Sequence, residues 1–169
     1  MVGGGYPEPP VEPGEIEQRS AYDATYAHAG GEISSTMEGR HVNIVEELIV
    51  HPAHADGFVD KGDPVVVSML VGVALNSGAS VNDVIVVETE GVWWLNVRSD
   101  ADLGWWGGIN VGDMLYIDPA TAEVTNIWYN IPFGHALGPV TEGATALIAV
   151  KVHAFQLFFP GWLWWGQPS

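Results

Sequence analysis

The sequence predicts an all-β domain, a barrel or a sandwich, flanked by an N-terminal arm and an aromatic C-terminal tail. Three observations lead there. Short β-branched runs recur at spacings of about 8–12 residues between turn signals. The first forty residues are rich in Pro and Gly, and the last fifteen are dominated by Phe and Trp. A chain of 169 residues suits one domain with arms. A chain of this size can bury roughly 70% of its unfolded surface, so it needs no disulfide or metal to fold.

Residues 1–40 read as an extended arm. Gly3-Gly4-Gly5-Tyr6-Pro7-Glu8-Pro9-Pro10 and Pro13-Gly14 oppose both helix and ladder pairing. Tyr6, Ile16, Tyr22, Tyr26, Ile33 and Met37 are widely spaced apolar anchors, more aromatic than a purely disordered tail carries. Residues 15–28 have the composition for a short helix. Two readings stand, a mobile tail and an arm that orders against a neighbouring subunit.

Residues 41–154 read as the β domain. The expected strands are 41–50, a long run at 64–75 with Gly72 as a bulge or bend, 81–87, 92–97, 114–117, 124–129, 134–137 and 144–152. Asn76-Ser77-Gly78, Glu88 to Gly91 and Asp118-Pro119 are the turns between them. Only 101–106 leaves room for a helical turn. No internal repeat of 20–50 residues stands out. Residues 155–169 form the tail, with Trp162, Trp164 and Trp165 close together. So much aromatic area is an aggregation hazard in water, so it must dock, either on the chain's own barrel or in an interface.

Charge excludes several functions. Asp and Glu number 21, which is ordinary; Lys and Arg number only 5, and the net charge is −16. Arg19, Arg40, Lys61, Arg98 and Lys151 are too few and too scattered to displace counterions from phosphates, so no nucleic-acid partner is expected. Attraction to an anionic membrane fails for the same reason. The apolar run 155–165 is shorter than the ~20 residues a spanning helix needs, and Pro160-Gly161 breaks it. The N-terminal segment lacks the basic and apolar regions of a secretory leader. Cys is absent, which removes disulfides and thiol chemistry.

Chemical motifs are sparse. There is no Gly-x-Ser-x-Gly, no phosphate-binding loop and no Gly-x-Gly-x-x-Gly turn. His51-Pro-Ala-His54 is the best metal candidate, with Asp56 and Asp60 near in sequence, but Pro52 breaks the helix that usually presents such a pair. These read as loop histidines. Ser99-Asp100-Ala-Asp102-Leu-Gly104 opens like a calcium loop, yet Trp105 and Val111 stand where the turn glycine and bidentate Glu belong. Trp93-Trp94 and Trp105-Trp106 would suit sugar stacking; as strand neighbours, one of each pair is expected in the core. The expectation is a chain with no catalytic residues, no cofactor and no metal.

Residues 62–152 resemble the small capsid decoration, or cement, proteins of tailed bacteriophages. The run Gly62-Asp63-Pro64-Val65-Val66-Val67 leads to Leu70-Val71-Gly72-Val73-Ala74 and the 84–87 strand. Glu90-Gly91-Val92, Gly112-Asp113-Met114-Leu115-Tyr116-Ile117-Asp118 and Val124-Thr125 follow, then Phe133-Gly134-His135-Ala136-Leu137-Gly138, Gly143-Ala144 and Ala149 to Val152. Order and spacing over about 90 residues carry the match. The resemblance implies a compact β-barrel or tulip-like fold that trimerises on the outer surface of the expanded head, bridging copies of the major capsid protein. The arm and the tail lie outside the shared pattern, and their anchors Tyr6, Tyr22, Tyr26, Phe158, Trp162, Trp164 and Trp165 are the expected interface residues. The rival reading is a virion-surface or secreted glycan-binding module using the paired Trp.

Overall fold

The computed structural model describes residues 28–34, 40–102 and 107–153. Among these the regular structure is ten strands and one 3-10 turn. The strands are β1 (Glu32–Ser34), β2 (His41–Val45), β3 (Pro64–Val67), β4 (Leu70–Ala74), β5 (Val84–Glu88), β6 (Gly91–Arg98), β7 (Met114–Ile117), β8 (Val124–Thr125), β9 (Ile131–Ala136) and β10 (Thr145–Val152). The fold is all-β, as its sequence predicts. Strands β6, β10, β9, β7 and β8 are hydrogen-bonded in that order, and β8 returns to pair in parallel with β6 through Val97↔Val124 and Arg98↔Thr125. A five-stranded closed barrel results, which removes the exposed edges of a flat sheet. Strand β1 adds to the barrel sheet beside β6, and β2, β5, β4 and β3 form a curled four-stranded sheet against it.

Alternation along the strands builds the core. In β6, Trp93, Leu95 and Val97 point inward while Trp94, Asn96 and Arg98 point out. They meet Leu115, Ile117, Phe133, Ala136, Ile148, Val150 and Val152. The β3–β4 hairpin is buried on both faces. Val66, Val71 and Val73 join the barrel core, whereas Val65 and Ala74 pack with Ile49, Val59, Ile85 and Val87 in a second cluster. Residues within the stretch read as the arm contact the barrel: Gly30 N–H donates to Trp94 O, Trp94 N–H donates to Gly31 O, and Glu32 lies opposite Trp93.

The structure differs from the expected strands where side chains, not apolar pattern, end the pairing. The long run 64–75 is a hairpin, turning at Ser68 with φ 56°. Gly72 is a regular ladder residue opposite Val65 rather than a bulge; a Cβ there would stand 2.4 Å from the Glu88 carbonyl oxygen. The strand expected at 124–129 ends at Thr125, whose Oγ1 accepts the Ile127 N–H and diverts the chain. The strand expected from His41 to Val50 stops at Val45, and a 3-10 turn takes Glu46–Leu48. β5 starts late because Ser80 to Asp83 closes a turn, with Asp83 Oδ2 accepting the Ala79 N–H. β9 starts early at Ile131 and includes Pro132, beside the register shift between Leu115 and Tyr116.

The hydrogen bonds also reveal an internal repetition that the sequence pattern conceals. Gly62 N–H donates to Ala74 O and Ala74 N–H to Asp63 O; likewise Gly112 N–H donates to Ala136 O and Ala136 N–H to Asp113 O. Asp63 Oδ2 accepts the Asp60 N–H at 2.8 Å, and Asp113 Oδ2 accepts the Asn110 N–H at 2.8 Å. Leu75 N–H reaches Val86 O as Leu137 N–H reaches Ala149 O, and Gly78 N–H reaches Val59 O as Val140 N–H reaches Ile109 O. Strands β3, β4 and β5 are thus built on the same plan as β7, β9 and β10. The second unit carries β8 as an insertion between its first two strands, which shifts the spacing and hides the repeat.

Candidate functional site

The seven expected anchors, Tyr6, Tyr22, Tyr26, Phe158, Trp162, Trp164 and Trp165, lie outside the described residues, as do Trp105 and Trp106. Of the other tryptophan pair, Trp93 is 1% exposed, and its Nε1–H donates to the Glu90 carbonyl. Its ring is therefore a core residue and offers no face to a sugar. Trp94 is half-buried on the outer side of β6.

Two exposed apolar patches stand out among the described residues. Trp128 and Tyr129 are 70% and 68% exposed, in the turn between β8 and β9, with rings edge-to-face at 5.9 Å. Trp128 also borders a cleft of about 340 Å³ together with Met114, Tyr116 and Asn126. Sequence reading places both aromatics in a strand; the Thr125 turn brings them out into solvent. The second patch is on the curled sheet. Val45 and Val84 are directly paired, and Leu48 and Val81 flank them where Glu47 N–H donates to Val81 O. All four are exposed. Large apolar side chains held out on rigid strand ends are what protein contacts use.

A cluster of titratable groups lies at the base of the curled sheet. The segment 49–63 has no regular strand or helix and brings His51 and His54 together, with rings stacked at 5.9 Å and 6°. His54 Nε2–H donates to Asp63 Oδ2 at 2.6 Å, and Asp60 Oδ2 lies 3.6 Å from Nδ1. The hydrogen bond to Asp63 raises the His54 pKa above its ordinary value, against the opposing effect of burial. His51 Nδ1–H donates to the Pro52 carbonyl at 2.8 Å, which leaves Nε2 facing Glu46 Oε1 at 3.5 Å. Glu46 is 5% exposed. Its Oε1 accepts the Val59 N–H at 2.9 Å, while Oε2 has no hydrogen-bond partner. Of the two acids near the histidines in sequence, Asp56 instead caps its own turn by accepting the Phe58 N–H. Asp63 takes the place beside His54, and Glu46 joins from the 3-10 turn. Asp63 stood out in the sequence only within the Gly62-Asp63 run of the family resemblance, and Glu46 carried no signal.

His54 and Asp63 line a cavity of about 470 Å³ together with Arg98, Glu123 and Thr145. Arg98 grips Glu123 through Nε at 2.7 Å and NH2 at 3.1 Å, and Asp100 through NH1 at 3.2 Å. The Glu123 hydrogen bonds raise the Arg98 pKa further, so this cation is already neutralised. Asp100, the opening acid of the calcium-like run, also accepts the Asp102 N–H and so belongs to a turn. A second histidine–carboxylate pair, His41 Nε2 with the fully buried Glu88 at 2.5 Å, ties β2 to β5.

The family model described as phage cement protein matches residues 45–152. That span contains the curled sheet from the end of β2, the whole barrel, both exposed patches and the histidine cluster. Searches of curated proteins and of solved structures return no match.

Proposed function

The chain belongs to the phage cement protein family, and on that premise we propose that it binds the expanded head of a tailed phage as homotrimers and stabilises the shell. Members of this family are structural decorations of the outer capsid surface, and that is where this chain resides in the virion. The finer reading concerns the partner, the major capsid protein, and the mechanism, avidity. A trimer that touches several capsid subunits multiplies modest contacts, so each need not be strong.

The observation that carries the reading is the family match over the barrel and curled sheet. The exposed patches support it: a rigid barrel holds Trp128 and Tyr129 out at one turn, and the curled sheet presents Val45, Leu48, Val81 and Val84. We assign one patch to the capsid and the other to a sister subunit. Tyr6, Tyr22 and Tyr26 in the arm 1–40, and Phe158, Trp162, Trp164 and Trp165 in the tail 155–169, are proposed as further anchors beyond the barrel domain 41–154. The net charge of −16 suits an outward surface, since it resists clumping of virions. It also makes close packing repulsive, so binding strengthens with salt.

Co-sedimentation with matching empty heads tests the proposal. The expected result is saturable, stoichiometric binding to expanded heads and none to unexpanded shells, with bound heads surviving higher temperature. Absence of binding across a salt range would overturn it.

A further inference from the structure

We propose that Glu46, His51, His54 and Asp63 form a binding site for one divalent transition-metal ion of the zinc class, with His51 Nε2, His54 Nε2 and the Asp63 carboxylate as its ligands. His51, His54 and Asp63 each offer one ligand atom, a ring nitrogen or a carboxylate oxygen, within 4.8 Å of the other two. Ligand atoms on a tetrahedral ion with bonds of about 2.0–2.1 Å stand about 3.3 Å apart, so small side-chain rotations close the site.

Four features of the cluster suit an ion. The first is the tautomer of His51. Its Nδ1–H is spent on the Pro52 carbonyl, which leaves the Nε2 lone pair, on the side facing Glu46, to take an ion. A backbone carbonyl on the far nitrogen is the usual outer support of a metal-bound imidazole. The second is Glu46. Neutral His51 sets a lone pair against Glu46 Oε1 at 3.5 Å, and the other carboxylate oxygen is buried with no hydrogen-bond partner. Two acceptors facing each other, beside an unpartnered buried carboxylate oxygen, call for positive charge. Coordination through His54 Nε2 requires that ring's proton to move to Nδ1, beside Asp60, and with neutral imidazoles the carboxylates of Glu46, Asp60 and Asp63 leave a negative cluster that a divalent ion offsets.

The third feature is preorganisation. The Asp60 amide already fixes the Asp63 carboxylate at 2.8 Å, so its use as a ligand costs little further ordering. The repeated unit sharpens this point. Asp113 closes the equivalent turn through Asn110 with no histidine hydrogen-bonded to it among the described residues. The turn itself therefore does not require an imidazole, and the His51–His54 pair is an addition to the first unit. The fourth is access: His54 and Asp63 line the 470 Å³ cavity, which leaves the open coordination position to water. Mixed nitrogen and oxygen donors select zinc, cobalt or nickel over magnesium or calcium. A bound ion would pin both ends of the irregular 49–63 segment to the base of β3.

The experiment uses the full chain, stripped with a chelator and titrated with ZnCl2, CoCl2 and, separately, MgCl2 near neutral pH. One equivalent of zinc should bind per chain, cobalt should give the visible bands of a four-coordinate site, and magnesium should not compete. In the wild-type chain, the side-chain nitrogen resonances of His51 and His54 should shift on zinc addition, with those of His135 and His153 unmoved. His51→Gln should weaken zinc at least roughly tenfold, and Asp56→Asn should leave it unchanged. A folded chain that binds neither zinc nor cobalt would overturn the proposal, as would zinc binding that survives His51→Gln at full strength or shifts other histidines.

Discussion

Replacing Gly134 by Ala should destabilise the barrel, against the ordinary preference of strands. Gly inside a strand is normally about 0.5–1 kcal/mol worse than Ala, so local propensity alone forecasts a gain. Gly134 does not adopt a left-handed φ, so Ala meets no backbone strain there. Its surroundings decide otherwise. A Cβ at this position would lie 2.1 Å from the Lys151 carbonyl oxygen and 3.0 Å from the Lys151 carbonyl carbon. Both are backbone atoms of β10, which cannot rotate away. Relief requires β9 and β10 to part by about 1 Å, which stretches ladder bonds of about 2.9 Å beyond their range. Loss of two such bonds costs about 1 kcal/mol each, and overpacking adds about 1–3 kcal/mol. After the propensity gain, the net loss is roughly 2–4 kcal/mol, or a fall in Tm of roughly 5–15 °C. Gly72→Ala, 2.4 Å from the Glu88 carbonyl oxygen in the equivalent place of the first unit, should behave alike. Gly57→Ala is the comparator: its φ is 80° with nothing within 4 Å, so it should cost only about 1–2 kcal/mol from backbone strain. Thermal and urea unfolding of the full chain read all three. An unchanged or raised Tm for Gly134→Ala would refute the close-approach argument.

Phe133→Ala should cost about 3–5 kcal/mol by leaving a cavity in the barrel core, where the ring is fully buried; urea unfolding measures it. Trp128→Ala with Tyr129→Ala should leave stability within about 0.5 kcal/mol, since both rings are exposed, yet weaken co-sedimentation with expanded heads. Asp113→Ala should cost about 1 kcal/mol through loss of the Asn110 amide bond, seen as a lower urea midpoint. Burial lowers the His153 pKa, aided by His135 and Lys151 and opposed by Glu90. The folded state therefore resists a proton that the unfolded chain accepts near pH 6.5. The His153 contribution should be fully favourable above that pH and decline as pH falls toward the lowered folded value. An NMR titration of the His153 ring, with urea midpoints across the same range, checks both the direction and the sign.

The sequence by itself determined the fold class and most strand positions. The runs expected as strands at 92–97 and 144–152 are apolar and β-branched enough that both were legible as strands, which the structure draws at 91–98 and 145–152. Gly62-Asp63 and Gly112-Asp113 stood in the sequence as parts of the run shared with the family, and the structure gives both glycines φ 95°. Tertiary structure decided what local pattern does not encode. Ser68 turns the 64–75 run into a hairpin, although neither it nor Met69 is a strong turn residue. Closure of the barrel rests on two parallel pairs between β6 and a two-residue strand, too short to carry any periodicity. The glycines at 72 and 134 are set by the approach of another strand's backbone, not by bending of their own. The duplication of the three-stranded unit escaped sequence reading because β8 interrupts the spacing, while hydrogen bonds keep the same partners. The cluster at His51 and His54 was half legible: the pair is adjacent in sequence, but Glu46 and Asp63 join it only once the irregular segment 49–63 folds back. Periodicity reports which face of a strand is buried; it carries no information about which distant carboxylate or carbonyl arrives against that face, and that is where the core contacts and the proposed ion site were decided.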